Sequence, residues 1–376
     1  MSQRVSRRKL LTFTTSGVMT AAVGRLTFLY ATSSRPARTI RWGVIGTGRR
    51  GAWVHIPALN ESPEMRVVAL CDFSPERLSS AISSLEPGAR AYSDYQKLLA
   101  DPEVDSVAIA TPSVLHSEMV LASIAAGKHV VCETPAGVTF AEAREIRLAA
   151  QSAKTVVTFC VPRSDEARRQ SIVQSVAAGS IGEVRYISLT RSGSQPNPGE
   201  PPASWQLSRE TTGGTLNEFA SQDFDLFHRI TRSHPESICA DGGTLFHRDE
   251  RDSWDRSSVT LNYPNGVRAV HTFCLFGPNR SELRVIGDKG ALIASSAQAL
   301  RLLRFGARGA TAKIEDVALA HSDAGTLLYE DFLKQVREGT KPDGNVDRAV
   351  AASRTCWLAE LSSARKTEVA WDEVVA

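Results

Sequence analysis

The sequence predicts an α/β fold in two parts, a parallel doubly wound sheet followed by an α+β domain with an open, mostly antiparallel sheet. Three observations predict it. From Thr39 onward, apolar runs of strand length alternate with amphipathic segments, the pattern of βαβ units. A glycine-rich turn closes the first of these runs at Gly46. Beyond Pro162 the runs instead alternate apolar and polar residues, as half-buried antiparallel strands do. A chain of 376 residues is too long for one small core and suits two domains. The expected partition is a leader over 1–36, a first domain over 37–160 and a second over 161–376.

The leader has its own logic. Ser6-Arg7-Arg8-Lys9-Leu10-Leu11 resembles a twin-arginine export signal, and a mildly apolar stretch follows from Leu10 to Val23. Arg25 falls inside the window that a full hydrocarbon crossing would need, so no stable membrane span is expected. Export to the periplasm is the expectation; without a working signal the protein stays cytoplasmic.

In the first part, strands are expected at Ile40 to Ile45, Arg66 to Cys71, Ser106 to Ala110, His129 to Cys132 and Thr155 to Cys160. Their near-continuous apolar character fits burial on both faces. Helices lie between them. Ser74-Pro75-Glu76 supplies an N-cap, a first-turn proline and acidic charge. Ser93-Asp94-Tyr95 opens a second helix, and Thr139 to Ala150 spaces Ala141, Ala143, Ile146 and Ala149 for a third.

In the second part, a helix through Ile172 to Ala178 stops at Gly179. Extended runs follow at Val184 to Thr190, Ser237 to Ala240, Ser257 to Leu261, Val267 to Phe273, Glu282 to Gly287, Ala291 to Ala294 and Leu300 to Leu303. The Pro/Gly/Ser-rich stretch from Ser192 to Ser204 reads as a long loop of functional type. Helical segments at Leu327 to Val336 and Val346 to Leu361 are expected to complete this second domain.

The turn after the first strand carries the first chemistry. Gly46-Thr47-Gly48-Arg49-Arg50-Gly51 places GxGxxG between a strand and a helix, the Rossmann arrangement for a dinucleotide. Gly46 permits the tight turn, Gly48 lets the backbone approach a pyrophosphate and Gly51 lets the helix pack on the strand. Unpaired N–H groups and the dipole of that helix favour the phosphates. Asp72, at the end of the second strand, can accept ribose hydroxyls and would repel a 2′-phosphate, which favours NAD over NADP. Arg77 qualifies that preference, because a guanidinium there could hold the extra phosphate.

These residues join others in a wider resemblance. Gly46-x-Gly48-x-x-Gly51, Asp72, Ala110-Thr111-Pro112 with His116, the run Lys128-His129-Val130-Val131-Cys132-Glu133-Thr134-Pro135, and Gly213-Gly214-Thr215-Leu216 leading to Asp225 resemble the Gfo/Idh/MocA family of glucose-fructose oxidoreductase, inositol dehydrogenase and related sugar dehydrogenases. The resemblance runs from about Thr39 to the C-terminus. It implies that Thr111, Pro112 and His116 lie near the nicotinamide ribose and that the Glu133-Thr134-Pro135 turn carries the nicotinamide end. It also implies an oligomer.

The resemblance breaks at the proton-transfer positions. The family's dehydrogenases have lysine in the middle of that turn and histidine about nine residues after the double glycine; here these are Thr134 and Gln222. Neither side chain titrates near neutral pH, so each can orient a hydroxyl but cannot remove its proton. Glu218, one helical turn before Gln222 and at a family carboxylate position, is the first candidate base. Asp223 and His228 come next, with the alternative that Asp223 and Asp225 only cap or solvate a helix and His228 lies on the surface. Trp205, able to stack on a sugar face or to serve as core, and Asp225 are candidate substrate residues.

Three functions follow. The first is an NAD(P)-dependent oxidoreductase acting by hydride transfer on a sugar or polyol. The second is an NAD-dependent glycosidase, since such relatives also lack the turn lysine, and the third is a non-catalytic dinucleotide-binding protein. A net charge of +3 without basic clustering beyond the leader gives no sign of nucleic-acid binding. The six cysteines show no CxxC spacing, so no metal is expected, and Cys71, Cys132 and Cys160 read as core.

Overall fold

The computed structural model describes residues 38–85, 87–160, 163–193, 204–246, 252–296, 298–306, 313–319, 324–341 and 344–373. The expected export segment and most of the Ser192 to Ser204 loop lie outside these residues.

Six parallel strands form the first sheet: β1 (Ile40–Ile45), β2 (Met65–Cys71), β3 (Arg90–Tyr92), β4 (Ser106–Ile109), β5 (His129–Glu133) and β6 (Val157–Cys160). Their order is β3-β2-β1-β4-β5-β6, the doubly wound order whose strand sequence reverses between β1 and β4. A ligand crevice forms at that reversal, outside the carboxyl ends of the two strands. A π turn, Gly51–His55, runs into α1 (Ile56–Asn60). Ser74 acts as the expected cap, its Oγ accepting from Arg77 N at the start of α2 (Pro75–Ser83), and two further caps appear: Asp94 accepts from Gln96 N before α3 (Tyr95–Leu99), and Thr139 from Glu142 N before α5 (Phe140–Ser152). Between the last two lies α4 (His116–Ala125).

The second half begins with α6 (Arg163–Ala177), longer than predicted because its first two turns are polar and carry no apolar period. Its nine strands are β7 (Val184–Ser192), β8 (Ser237–Gly243), β9 (Arg256–Asn262), β10 (Arg268–Cys274), β11 (Arg280–Gly287), β12 (Gly290–Ser295), β13 (Gln298–Arg304), β14 (Lys313–Asp316) and β15 (Val369–Ala370). They form one sheet, β14-β13-β12-β11-β7-β10-β9-β8-β15, antiparallel throughout except for the parallel pair β7 and β10. The strands missing from the sequence reading, β3, β14 and β15, are those too short and polar to show a period. Between β7 and β8 come the short α7 (Ser204–Leu207) and α8 (Arg209–Thr212), then α9 (Thr215–Thr231). Leu216, Phe224, Phe227 and Ile230 turn one face of α9 into the core of this sheet, with Ile187, Leu189, Leu283 and Val285.

One expectation is corrected. The closing helices α10 (Ala324–Glu338) and α11 (Asn345–Arg365) do not simply complete the second domain. Tyr329, Phe332 and Leu333 of α10 join the core on one face of the first sheet, where the Tyr329 ring meets Trp42 edge-on at 5.1 Å. Val350 and Trp357 of α11 reach the core on its other face, while Ala352, Cys356, Leu358 and Ala359 of the same helix pack on the second sheet. Residues from Arg38 onward therefore form one compact unit.

Candidate active site

The glycine turn sits at the strand reversal. Gly46 has φ +90°, and a Cβ there would lie 2.6 Å from the Ala110 carbonyl oxygen, so the turn after β1 is pressed against the end of β4. A Cβ on Gly51 would collide with the Gly46 carbonyl. Gly48 differs, because the nearest atom to a Cβ there is Arg77 Nη1 at 3.9 Å. Protein packing thus demands two of the three glycines, and the third leaves backbone open to the crevice, as an approaching pyrophosphate requires. Gly48→Ala is expected to leave the fold intact and weaken NAD binding about tenfold or more, about 1.4 kcal/mol, read by titration with NADH fluorescence alongside thermal melting.

Asp72 is buried and organises this turn: its Oδ2 accepts from Thr47 N at 2.8 Å and Thr47 Oγ1 at 3.0 Å, and its Oδ1 from Ser74 N at 2.9 Å. Those three bonds leave one of roughly four carboxylate lone-pair sites for a ribose hydroxyl. Arg77 and Arg49 are exposed beside the turn.

Arg50 points the other way. Its Nε and Nη2 lie 2.9 and 2.6 Å from Glu133 Oε1 at the end of β5. The same oxygen is 2.8 Å from His55 Nε2, and His55 Nδ1 is 2.6 Å from the Tyr329 hydroxyl. Burial alone would raise the Glu133 pKa, but His55 and Arg50 hold it at about 2. Cys160 joins His55 and Glu133 in space, a grouping that spacing along the chain could not show, with the Arg50 guanidinium on the carboxylate. This network fixes Glu133, and with it the Thr134–Pro135 peptide, which is cis.

His116 is buried at the start of α4, Nδ1 2.9 Å from the Pro135 carbonyl and Nε2 3.0 Å from that of Thr111. Burial lowers its pKa although both carbonyls favour the charged ring. A neutral imidazole has one N–H, so it can donate to one carbonyl at a time. His116 thus braces the loop carrying Thr111 and Pro112 against the Glu133-Thr134-Pro135 turn.

The two substituted positions meet. Gln222 Nε2 on α9 donates to Thr134 Oγ1 at 2.7 Å, and both line one cleft. Gly213 and Gly214, both at positive φ, let α8 turn into α9 and aim this face at the turn. Glu218, one turn before Gln222, does not line that cleft. Its Oε2 accepts from Ser113 Oγ at 2.6 Å, and Gln206 of α7 also donates to it. Glu218 is half-buried as a residue, and burial of its carboxyl raises the pKa to about 7; Ser113 and Gln206 oppose that rise and nearby Glu133 adds to it.

Asp225 lines the cleft, 3.3 Å from Arg348 Nε and 3.9 Å from Arg229 Nη1. Trp205 is half-buried on α7 and does not line it. Asp223 and His228 are excluded as bases at this site. Asp223 is fully buried between Arg169 Nη2 (2.8 Å), Arg191 Nη2 (2.7 Å) and His271 Nε2 (3.1 Å), so it neither caps nor solvates the helix. His228 is buried rather than on the surface, 3.1 Å from Thr355 Oγ1, and burial lowers its pKa to about 3. The cleft face of α9 carries Ser221, Gln222 and Asp225, whereas Asp223 and His228 face elsewhere, as helical spacing requires.

Sequence reasoning missed Ser113, Gln206, His55 and Tyr329. Ser113 follows Pro112 and His55 lies one turn past Gly51, but neither position announces its distant partner. Cys71, Cys132 and Cys160 are core residues as expected. Among the described residues no helix is long and apolar enough to cross a membrane.

Comparison with known proteins fits this geometry. Residues 40–160 match the model of an oxidoreductase family with an NAD-binding Rossmann fold, and residues 170–293 match the GFO/IDH/MocA C-terminal domain. An uncharacterized oxidoreductase of Synechocystis is 35% identical over 267 residues, 67% of this chain and 71% of that one. Myo-inositol 2-dehydrogenase of Thermotoga maritima is 24% identical over 343 residues, 89% of this chain and all of the other. A levoglucosan dehydrogenase solved with NADH and L-sorbose has the same fold, with a TM-score of 0.79 at 18% identity over 90% of this chain and all of that one. The glycine turn, the acidic end of β2 and the two matched domains together place this chain in the GFO/IDH/MocA family of oxidoreductases, with an NAD-binding Rossmann domain.

Proposed function

We propose that the chain transfers hydride between NAD and a hydroxyl-bearing carbon of a sugar or polyol, with the Thr134–Gln222 pair orienting the substrate oxygen and Glu218 taking the proton. The observation that carries this reading is the 2.7 Å hydrogen bond joining the two substituted residues on the cleft wall. When bound, the nicotinamide supplies the hydride acceptor. Thr134 Oγ1 already accepts from Gln222, so its own proton is available to a substrate oxygen, and Gln222 Oε1 remains an acceptor for a hydroxyl. Neither removes a proton. Glu218, one turn away along α9 and outside the cleft lining, has a pKa near neutrality and takes that proton through one bridging water. The inositol and levoglucosan dehydrogenases among the relatives and structural neighbours support a polyhydroxylated substrate.

The absence of the turn lysine also supports a second reading, glycoside cleavage by transient oxidation and re-reduction. The test is a screen of NAD-loaded protein against sugars, inositols and aryl glycosides. Net NADH formation is the expected result. Aglycone release without net NADH would transfer the assignment to the glycosidase, and bound NAD with neither activity would leave a binding protein.

The remaining expectations belong to the same proposal: export in folded, NAD-loaded form on the strength of Arg7-Arg8, NADP as a secondary cofactor through Arg77, assembly as a homo-oligomer, and the partition at 37–160 and 161–376, with α10 and α11 of the second part packing also on the first sheet.

A further inference from the structure

The charged lining of the cleft is arranged so that its cations are already taken. Its described lining residues include two arginines, Arg229 and Arg348, and three carboxylates, Glu166, Asp225 and Asp331, a balance of −1. Arg229 Nη1 lies 3.0 Å from Glu166 Oε1 and 3.9 Å from Asp225 Oδ2, and Arg348 Nε lies 3.3 Å from Asp225 Oδ1. Asp331, exposed on α10, has no ion pair or hydrogen bond among the described residues.

A ligand carboxylate or phosphate would have to share either guanidinium with a protein carboxylate already paired to it, or displace that carboxylate. The Glu166 and Arg229 side chains are 22% and 17% exposed, so the displaced carboxylate would stay largely desolvated and unpaired. Asp331 adds direct repulsion. The neutral lining is of the opposite kind: the Gln170 amide and Gln222 Oε1 offer donors and acceptors, and Ser221, only 2% exposed, has an Oγ with no partner. An orphaned hydroxyl on the wall of a polar cleft suits a ligand hydroxyl.

We infer that this cleft takes uncharged polyhydroxylated ligands, tolerates an ammonium substituent beside Asp331, and rejects sugar acids and sugar phosphates. The inference rests on the polyol reading above and narrows it to a charge class.

Isothermal titration of the NAD-loaded protein with glucose, glucosamine, glucuronate and glucose 6-phosphate tests it, because these differ mainly in the charge on one ring. Glucose and glucosamine are expected to bind, and the two anions to bind at least about tenfold more weakly. Asp331→Lys, a substitution at an exposed position, is expected to raise glucuronate affinity relative to glucose by about tenfold. Anions binding as tightly as glucose, or an unchanged ratio in Asp331→Lys, overturns the charge-class inference and leaves the polyol reading standing. If none of the four binds, the polyol reading falls and this inference with it.

Discussion

Glu218→Gln is expected to lower turnover by about 10²- to 10⁴-fold, the usual contribution of a positioned base, while NADH still binds. The substitution keeps the size of the side chain and an acceptor for Ser113, and removes only the ability to take a proton. In the intact protein the base must be ionised, and its pKa is raised to about 7 chiefly by burial. Activity should therefore rise with pH through about 7 and level off above it. Ser113→Ala removes a donor to the carboxylate, so it should move that rise to higher pH, a shift that a merely structural effect of the serine would not produce. A Glu218→Gln enzyme with full turnover and an unchanged pH profile would remove Glu218 from the mechanism and return the question of the base to the carboxylates that line the cleft.

Asp223→Ala is expected to destabilise the protein by about 3–5 kcal/mol, the cost of breaking a buried ion pair from one side. The reason is the company it keeps. Arg169 and Arg191 donate to its Oδ1 at 2.8 and 2.7 Å, and His271 Nε2 lies 3.1 Å from its Oδ2. Removing the carboxylate leaves two guanidinium groups facing each other in a pocket where Arg169 and Asp223 are at most 4% exposed. Urea unfolding should show a lower midpoint with little change in slope. Burial would raise the pKa of Asp223, but the arginines and His271 hold it well below the ordinary range. A depressed carboxylate contributes stability above its unfolded pKa of about 3.9, and that stability is lost as pH falls toward the native value. The difference between wild type and Asp223→Ala should accordingly shrink in acid. An equal midpoint at neutral pH would show that the cluster is better solvated than its burial indicates.

The cofactor end of the site was legible because its constraints are local. A turn at positive φ, a helix start and a carboxylate at a strand end each occupy a few consecutive residues, so Gly46 to Gly51 and Asp72 could be assigned before any fold was known. The substituted positions Thr134 and Gln222 were equally visible. Their hydrogen bond was not, because it spans 88 residues and depends on how α9 meets the end of β5. Helical spacing alone left Asp223 and His228 as rivals to Glu218. Only packing showed that Asp223 is consumed by arginines and that His228 is buried against Thr355.

Two sheets of different kind, the nucleotide turn and its acidic partner, and two side chains at Thr134 and Gln222 that do not titrate near neutral pH can be read from the chain alone, since periodicity and short motifs act over distances the chain encodes directly. Tertiary structure alone decided three other matters. It carried α10 and α11 back onto the first sheet, so that Tyr329 and His55 brace Glu133. It brought Ser113 and Gln206 from distant segments onto Glu218 and set its proton affinity. It paired the cleft arginines with their carboxylates. The physical reason is the same in each case: burial and electrostatic pairing depend on through-space neighbours, and these are set by how whole elements pack rather than by which residues adjoin in the chain.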